Sequence, residues 1–171
     1  RERFSFTNEQ LKESLKKINS IGSVLGVVVL STCNRMEICT HLRDNNLGMQ
    51  ELIRFLCDNF LVKEAQIRRY FYVLDDTDVI RHLFRVACGL DSQILGETQI
   101  LGQVKSAWEI ASQAGVTCEL TDALFADAVR VGKEVRSFTE ISQGNVSIGS
   151  VAIKMLEERF GGIQDKSILV I

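Results

Sequence analysis

The sequence predicts an α+β fold: a ferredoxin-like βαββαβ unit that lacks its first strand, followed by an antiparallel helical bundle. Three observations lead there. Residues 1–75 alternate helical and strand-like runs, everything from Asp76 onward reads as helix, and the 171 residues include no proline to interrupt those helices.

"TNEQLKESLKKI" opens with Thr7 and places Gln10 three residues later, the pattern of a capping box. Leu11, Leu15 and Ile18 follow at helical spacing, so a helix is expected over 8–19. "SVLGVVVLS" (23–31) is rich in Val and Leu and reads as a buried strand. "RMEICTHL" (35–42) alternates Met36, Ile38, Thr40 and Leu42 with Arg35, Glu37, Cys39 and His41, which predicts a strand with one wet face. Asn34 falls at the turn of the hairpin these two strands would make. "NLGMQELIRFLCDNF" (46–60) returns to helix, and "IRRYFYVL" (67–74) reads as a third strand.

In the second half, Val79, Ile80, Leu83, Phe84, Ala87 and Leu90 form one apolar stripe. Segments 96–115, 120–141 and 145–162 complete four helices joined by short loops, the pattern of a bundle. The organisation expected is an α+β subdomain over 1–75, a helical subdomain over 76–163 and the start of a further strand over 164–171. The opening "RERFSF" and the closing "KSILVI" both read as interior to a longer protein.

Composition narrows the function. Hydrophobic content of 46 % and charged content of 25 % are those of a globular domain, and a net charge of −2 gives no global affinity for nucleic acid. No stretch approaches the ~20 apolar residues of a membrane span, and no signal sequence is evident. Five cysteines without a CxxC pair, and only two histidines, argue against a zinc site or a disulfide framework. Free thiols in a reducing cytoplasm are expected, most of them packed as small hydrophobes.

The stretch "STCNRMEIC" (31–39) carries the chemical signal. Cys33 lies at the mouth of the first strand with Arg35 two residues on, and a fixed cation beside a thiol favours the nucleophilic thiolate. Thr32 and Asn34 add polar groups and backbone amides suited to an oxyanion or a carboxylate. The bland alternative is a packed cysteine beside a hairpin. His82 lies beside the stripe of its helix rather than on it and can face the sheet; His41 reads as solvated. In "GLDSQILGETQILGQVKSA" (89–107), Gly89 and Gly96 bracket a link studded with Asp91, Ser92, Glu97, Thr98 and Gln99. Glu97 suits a helix start, and Gln99 and Gln103 share a helix face. Arg130, Lys133 and Arg136, spaced by three, read as a solvated helix edge.

Three blocks, "LSTCNRMEI", "HLFRVACGLDSQILGETQILGQVKSA" and "VGKEVRSFTEISQGNVSIGSVA", resemble those of the glutamyl-tRNA reductases, and the resemblance runs the length of the chain. It implies an N-terminal catalytic domain ending on the first strand of a nicotinamide-binding domain. Cys33 matches the family nucleophile, which takes the glutamyl group from glutamyl-tRNA(Glu) as a thioester. NADPH then reduces that thioester to glutamate-1-semialdehyde for tetrapyrrole synthesis. His82 matches the family histidine, and Thr32, Asn34, Arg35, Ser92, Glu97, Thr98, Gln99 and Gln103 match positions that hold the glutamyl moiety. No metal and no membrane are implied. The resemblance further implies a cytoplasmic enzyme, dimeric at full length through C-terminal helices and monomeric without them. Its downstream partner would be the glutamate-1-semialdehyde aminomutase. Cys39 stands where the family usually has Tyr, Cys88 where it has Ser, Thr98 where Pro is common, and "RSFTEI" where "RTETxI" is usual. A stand-alone thiol esterase or acyltransferase on the same Cys33 and His82, and a non-catalytic RNA-binding module, are the competing readings.

Overall fold

The computed structural model describes residue 6 and residues 8–143, 148–164 and 167. Its elements are α1 (Asn8–Asn19), β1 (Val24–Ser31), β2 (Met36–Leu42), α2 (Asn45–Phe60), α3 (Glu64–Tyr70), α4 (Asp76–Ala87), α5 (Gln99–Gln113), α6 (Glu119–Phe138) and α7 (Ile148–Phe160). Thr7 of the expected capping box, and all of the expected strand over 164–171 except Gln164 and Ser167, lie outside the described residues.

Strands β1 and β2 form an antiparallel pair, with Val27 opposite Thr40 and Ser31 opposite Met36, and a bulge between Val24 and Gly26. Both faces of β1 are covered: Val27, Val28, Val29 and Leu30 are all buried, which accounts for the unbroken apolar run. Each such side chain contributes roughly 1.5–3 kcal/mol of transfer free energy. β2 has no wet face. All seven of its residues are half-buried, because Ile38 packs toward α2 and α3 while Cys39 and His41 turn toward the start of α6.

The expected third strand is absent. Residues 64–70 form α3 instead, entered through Lys63, whose amide donates to Gln66 Oε1, and reinforced by an Arg68–Glu64 pair one turn apart. Only Ile67 is buried along it, and Tyr72, Val73 and Leu74 run on as exposed chain with no strand beside them. The described residues therefore make a two-stranded sheet and do not complete a ferredoxin-like one.

Helices α1, α5 and α6 pack on β1, and α4 packs against α5 and α6, so a single core runs from Leu11 to Val129 across position 75. Phe125, Ile100, Val104 and Val86 fill its centre. The inward side of α4 is Leu83, Val86 and Ala87, whereas Ile80 is exposed. None of the described side chains of α7 is fully buried, so the expected fourth bundle helix leaves Ile153, Met155 and Phe160 in the open. No described helix is long and apolar enough to cross a membrane.

The link between α4 and α5 is pinned from α6 rather than left as a free loop. Arg136 turns inward: one terminal nitrogen donates to Glu97 O at 2.9 Å and Ala87 O at 3.5 Å, and the other to Ser142 Oγ at 3.3 Å. This replaces the solvated edge expected from the spacing with Arg130 and Lys133; Arg130 does face water, paired to Asp127 and Glu134. Gly96 has φ of +77°, and a Cβ there would lie 1.7 Å from Ile141 O. Replacing it requires both a left-handed backbone and room that the 139–142 turn already fills. Gly96→Ala is expected to lower unfolding stability by about 2–3 kcal/mol, read from urea denaturation. A change within 0.5 kcal/mol would mean that the two segments are not held together in this way.

Candidate active site

The tip of the β1–β2 hairpin is organised by one hydroxyl. Thr32 Oγ1 accepts the backbone N–H of Asn34 at 3.1 Å and of Arg35 at 3.0 Å, while Thr32 N donates to Arg35 O at 2.8 Å. This small turn lifts Cys33 out of the strand, and it is the exposed member of the five free cysteines. The turn also occupies the amides of Thr32 and Asn34, which the sequence had suggested as oxyanion donors.

Arg35 reaches in two directions. Nη1 donates to Glu37 Oε1 at 2.7 Å, and Nη2 reaches Asp91, bonding its carbonyl and lying 3.3 Å from its carboxylate. The guanidinium side chain is only 15 % exposed, so these contacts join the hairpin to the α4–α5 link under limited solvent screening. Glu37 Oε1 also lies 3.1 Å from His82 Nε2, on the flank of α4 that faces the sheet. The ring of Tyr72 meets the His82 ring edge-on at 6.3 Å. When Nε2 carries the proton that Glu37 accepts, Nδ1 is left as the nitrogen able to take up another.

Between hairpin and link lies a cleft of ≈ 120 Å³ that brings together Thr32, Cys33, Asn34, Arg35, Ser92, Glu97, Gln99 and Gln103. Ser92 is part of that lining, and its Oγ is buried with no hydrogen-bond partner. Two predicted site residues stand outside the lining. Thr98 is the exposed residue at the entry of α5 and makes no side-chain cap, and His82 sits behind Arg35, connected through Glu37. Glu37, Tyr72 and Arg136 were not singled out from the sequence as site residues. Glu37 read as one polar position in an alternating strand, and only the fold shows that its carboxylate serves two elements.

The other thiols differ in kind. Burial first, then the nearby Glu37 and Cys118, pushes the Cys39 thiol up to about 12. His41, expected to be solvated, places Nδ1 3.4 Å from Cys118 Sγ. Among the described residues no cluster of three or more His, Cys, Asp or Glu could hold a metal ion.

Known sequences share this arrangement of blocks. A family model described as "Glutamyl-tRNAGlu reductase, N-terminal domain" matches residues 1–139. The chain belongs to the glutamyl-tRNA reductase family. Its full length aligns at 41 % identity with a glutamyl-tRNA reductase of Desulfitobacterium hafniense (strain DSM 10664 / DCB-2), covering 39 % of that protein. It aligns at 37 % identity with one of Picosynechococcus sp., covering 40 %. The solved glutamyl-tRNA reductase from Methanopyrus kandleri superposes with a TM-score of 0.69 at 33 % identity, over 92 % of this chain and 35 % of that one. The chain thus spans about two-fifths of the length of the curated family members it matches.

Two outcomes follow for the thiols of this family member. Iodoacetamide at neutral pH is expected to modify the exposed Cys33 before Cys39, as read by peptide mass spectrometry over time. Folding also holds Cys39 protonated, since its folded value lies above the ordinary 9.0. Its contribution to stability is complete below pH 9.0 and fades as pH rises toward about 12. Denaturation midpoints should fall across that window, and less steeply in Cys39→Ala; equal slopes would show that Cys39 is not the group titrating.

Proposed function

We propose that this chain is the acyl-accepting part of a glutamyl-tRNA reductase, with Cys33 as nucleophile. The observation that carries the reading is an exposed thiol at the rim of a small polar cleft whose buried Ser92 hydroxyl lacks a partner. The reaction begins when Cys33 Sγ, as thiolate, attacks the carbonyl carbon of glutamate esterified to the 3′ end of tRNA(Glu). A C–S bond forms, the ester C–O bond breaks, and the ribose oxygen leaves with a proton.

The chain's own groups divide the remaining work. Ser92, Gln99 and Gln103 line the cleft, and the side-chain amides of Gln99 and Gln103 donate to the glutamyl group and to the oxyanion as it forms. Arg35 receives a substrate carboxylate by exchange. Its contact with the Asp91 carboxylate is the longer of the two, 3.3 Å against 2.7 Å to Glu37, and Asp91 is the more exposed partner at 40 %. Glu37 holds His82 in one orientation, and His82 relays the proton that the departing ribose oxygen needs.

When bound, NADPH supplies a hydride that reduces an acyl thioester to an aldehyde. The described residues hold no glycine-rich turn between a strand and a helix, the feature that cradles a dinucleotide's pyrophosphate, so no step of that reduction is assigned to them.

Incubation with tRNA carrying labelled glutamate, followed by an acid quench, tests the proposal. Hydroxylamine-labile label is expected on the protein at Cys33 and absent from Cys33→Ser. Binding of tRNA with no label on either protein would instead leave this chain an RNA-binding module whose exposed Cys33 accepts no acyl group.

A further inference from the structure

Two thiols that the acyl-transfer reading does not use meet, together with His41, where the start of α6 packs on the hairpin. Cys118 is held there from both sides of its chain. Val27 N donates to Val116 O at 2.9 Å, and Cys118 N donates to Thr121 Oγ1 at 2.9 Å. Gly26 makes this approach possible, since a Cβ there would lie 2.7 Å from Cys118 Sγ and 2.9 Å from Cys118 N. Gly26 pairs with His41 across the hairpin, and His41 Nδ1 lies 3.4 Å from the same sulfur.

Cys39 is the second thiol. It lies two residues before His41 on β2, so both side chains leave one face of the strand, about 7 Å apart at their bases. Cys118 Sγ sits over the Gly26–His41 pair, one such step from Cys39. The two sulfurs are close enough that charge on Cys118 raises the Cys39 thiol beyond what burial alone does. They are also unequal. Cys118 is half-buried beside an imidazole, whereas the Cys39 thiol is enclosed and held protonated.

We propose that Cys118 and Cys39 form a peroxide-sensitive pair that closes reversibly to a disulfide, with His41 as the base that starts the reaction. With the ring proton on Nε2, His41 Nδ1 takes the proton of Cys118 Sγ. The thiolate attacks one oxygen of hydrogen peroxide. An S–O bond forms, the O–O bond breaks, and the hydroxide released takes the proton from His41 as water. Cys39 Sγ then displaces the hydroxyl of the Cys118 sulfenic acid, and its own proton leaves with that hydroxyl as a second water. Two thiols lose two electrons and the peroxide gains them. The bond ties α6 to the strand that also carries Glu37, two residues before Cys39. Cys33 takes no part, so the pair stands apart from the acyl-transfer reading.

The test treats the Cys33→Ser chain with a small excess of hydrogen peroxide, so that the exposed thiol cannot join a cross-link. Free thiols are then alkylated in denaturant, and the monomeric species is digested with trypsin without reduction. A product joining peptides 36–43 and 106–130, each with one cysteine, is expected and should vanish on adding dithiothreitol. Closing a loop of about 80 residues should also raise the urea midpoint, again reversibly. With Cys39→Ser added, dimedone should trap a sulfenic acid at Cys118. His41→Asn should still cross-link, but roughly tenfold or more slowly at neutral pH. The Cys33→Ser chain keeps both thiols and His41, so the cross-link is read without altering any of the three. Peroxide that leaves both thiols free to alkylate, or oxidises either without joining the two peptides, would overturn the proposal. Equal rates in His41→Asn and its parent would remove His41 as the base.

Discussion

The site depends on the half-buried Arg35 guanidinium. Placed on the hairpin and joined to Glu37 and Asp91, it fixes the distance between the thiol and the α4–α5 link. Such a network is not chiefly a source of stability, because desolvating three charges offsets much of their attraction. Its effect is geometric. Removing Arg35 would leave the Glu37 carboxylate without its cation in a place with little water, so the alternatives in which hairpin and link drift apart are disfavoured. Glu37 extends the same constraint to His82, so three elements that are distant in sequence take their positions from one cation.

Much of this was legible in the sequence, and the misreadings share a cause. The core strand, the hairpin and six of the seven helices follow from periodicity, because burial on one side leaves a regular trace in the residue types. "IRRYFYVL" misled because β-branched and aromatic residues fit a pleated surface only when a neighbouring strand exists to cover them. Among the described residues none does, and the local Glu64–Arg68 pair and the Lys63–Gln66 contact favour a helix over its first half. Arg136 misled for a different reason. Each step of three residues advances a helix by about 300°, so two steps from Arg130 carry a side chain about 120° around the axis. That rotation takes the third member of an apparently solvated row into the protein, where it holds the Glu97 carbonyl.

The candidate site divides along the same line. Residues close in sequence, Thr32 to Arg35, were readable as a unit because the turn is local and one hydroxyl closes it. Glu37 was not, since its role depends on a helix that begins some forty residues later in the chain. The availability of the Thr32 and Asn34 amides was misjudged for a related reason. A tight turn closes on its own backbone and side-chain groups, so the Thr32 amide goes to the Arg35 carbonyl and the Asn34 amide to the Thr32 hydroxyl.

Helix α5 shows how one element can serve both folding and substrate. Ile100, Val104, Ala107 and Ala111 bury one side of it in the common core. Gln99 and Gln103 present another side to the cleft. The first set answers to packing density, which penalises any change of volume. The second set answers to the shape and polarity of the cleft it lines. The two sides belong to one helix, so a change that loosens the core side of α5 also shifts the side chains that line the cleft beside Cys33.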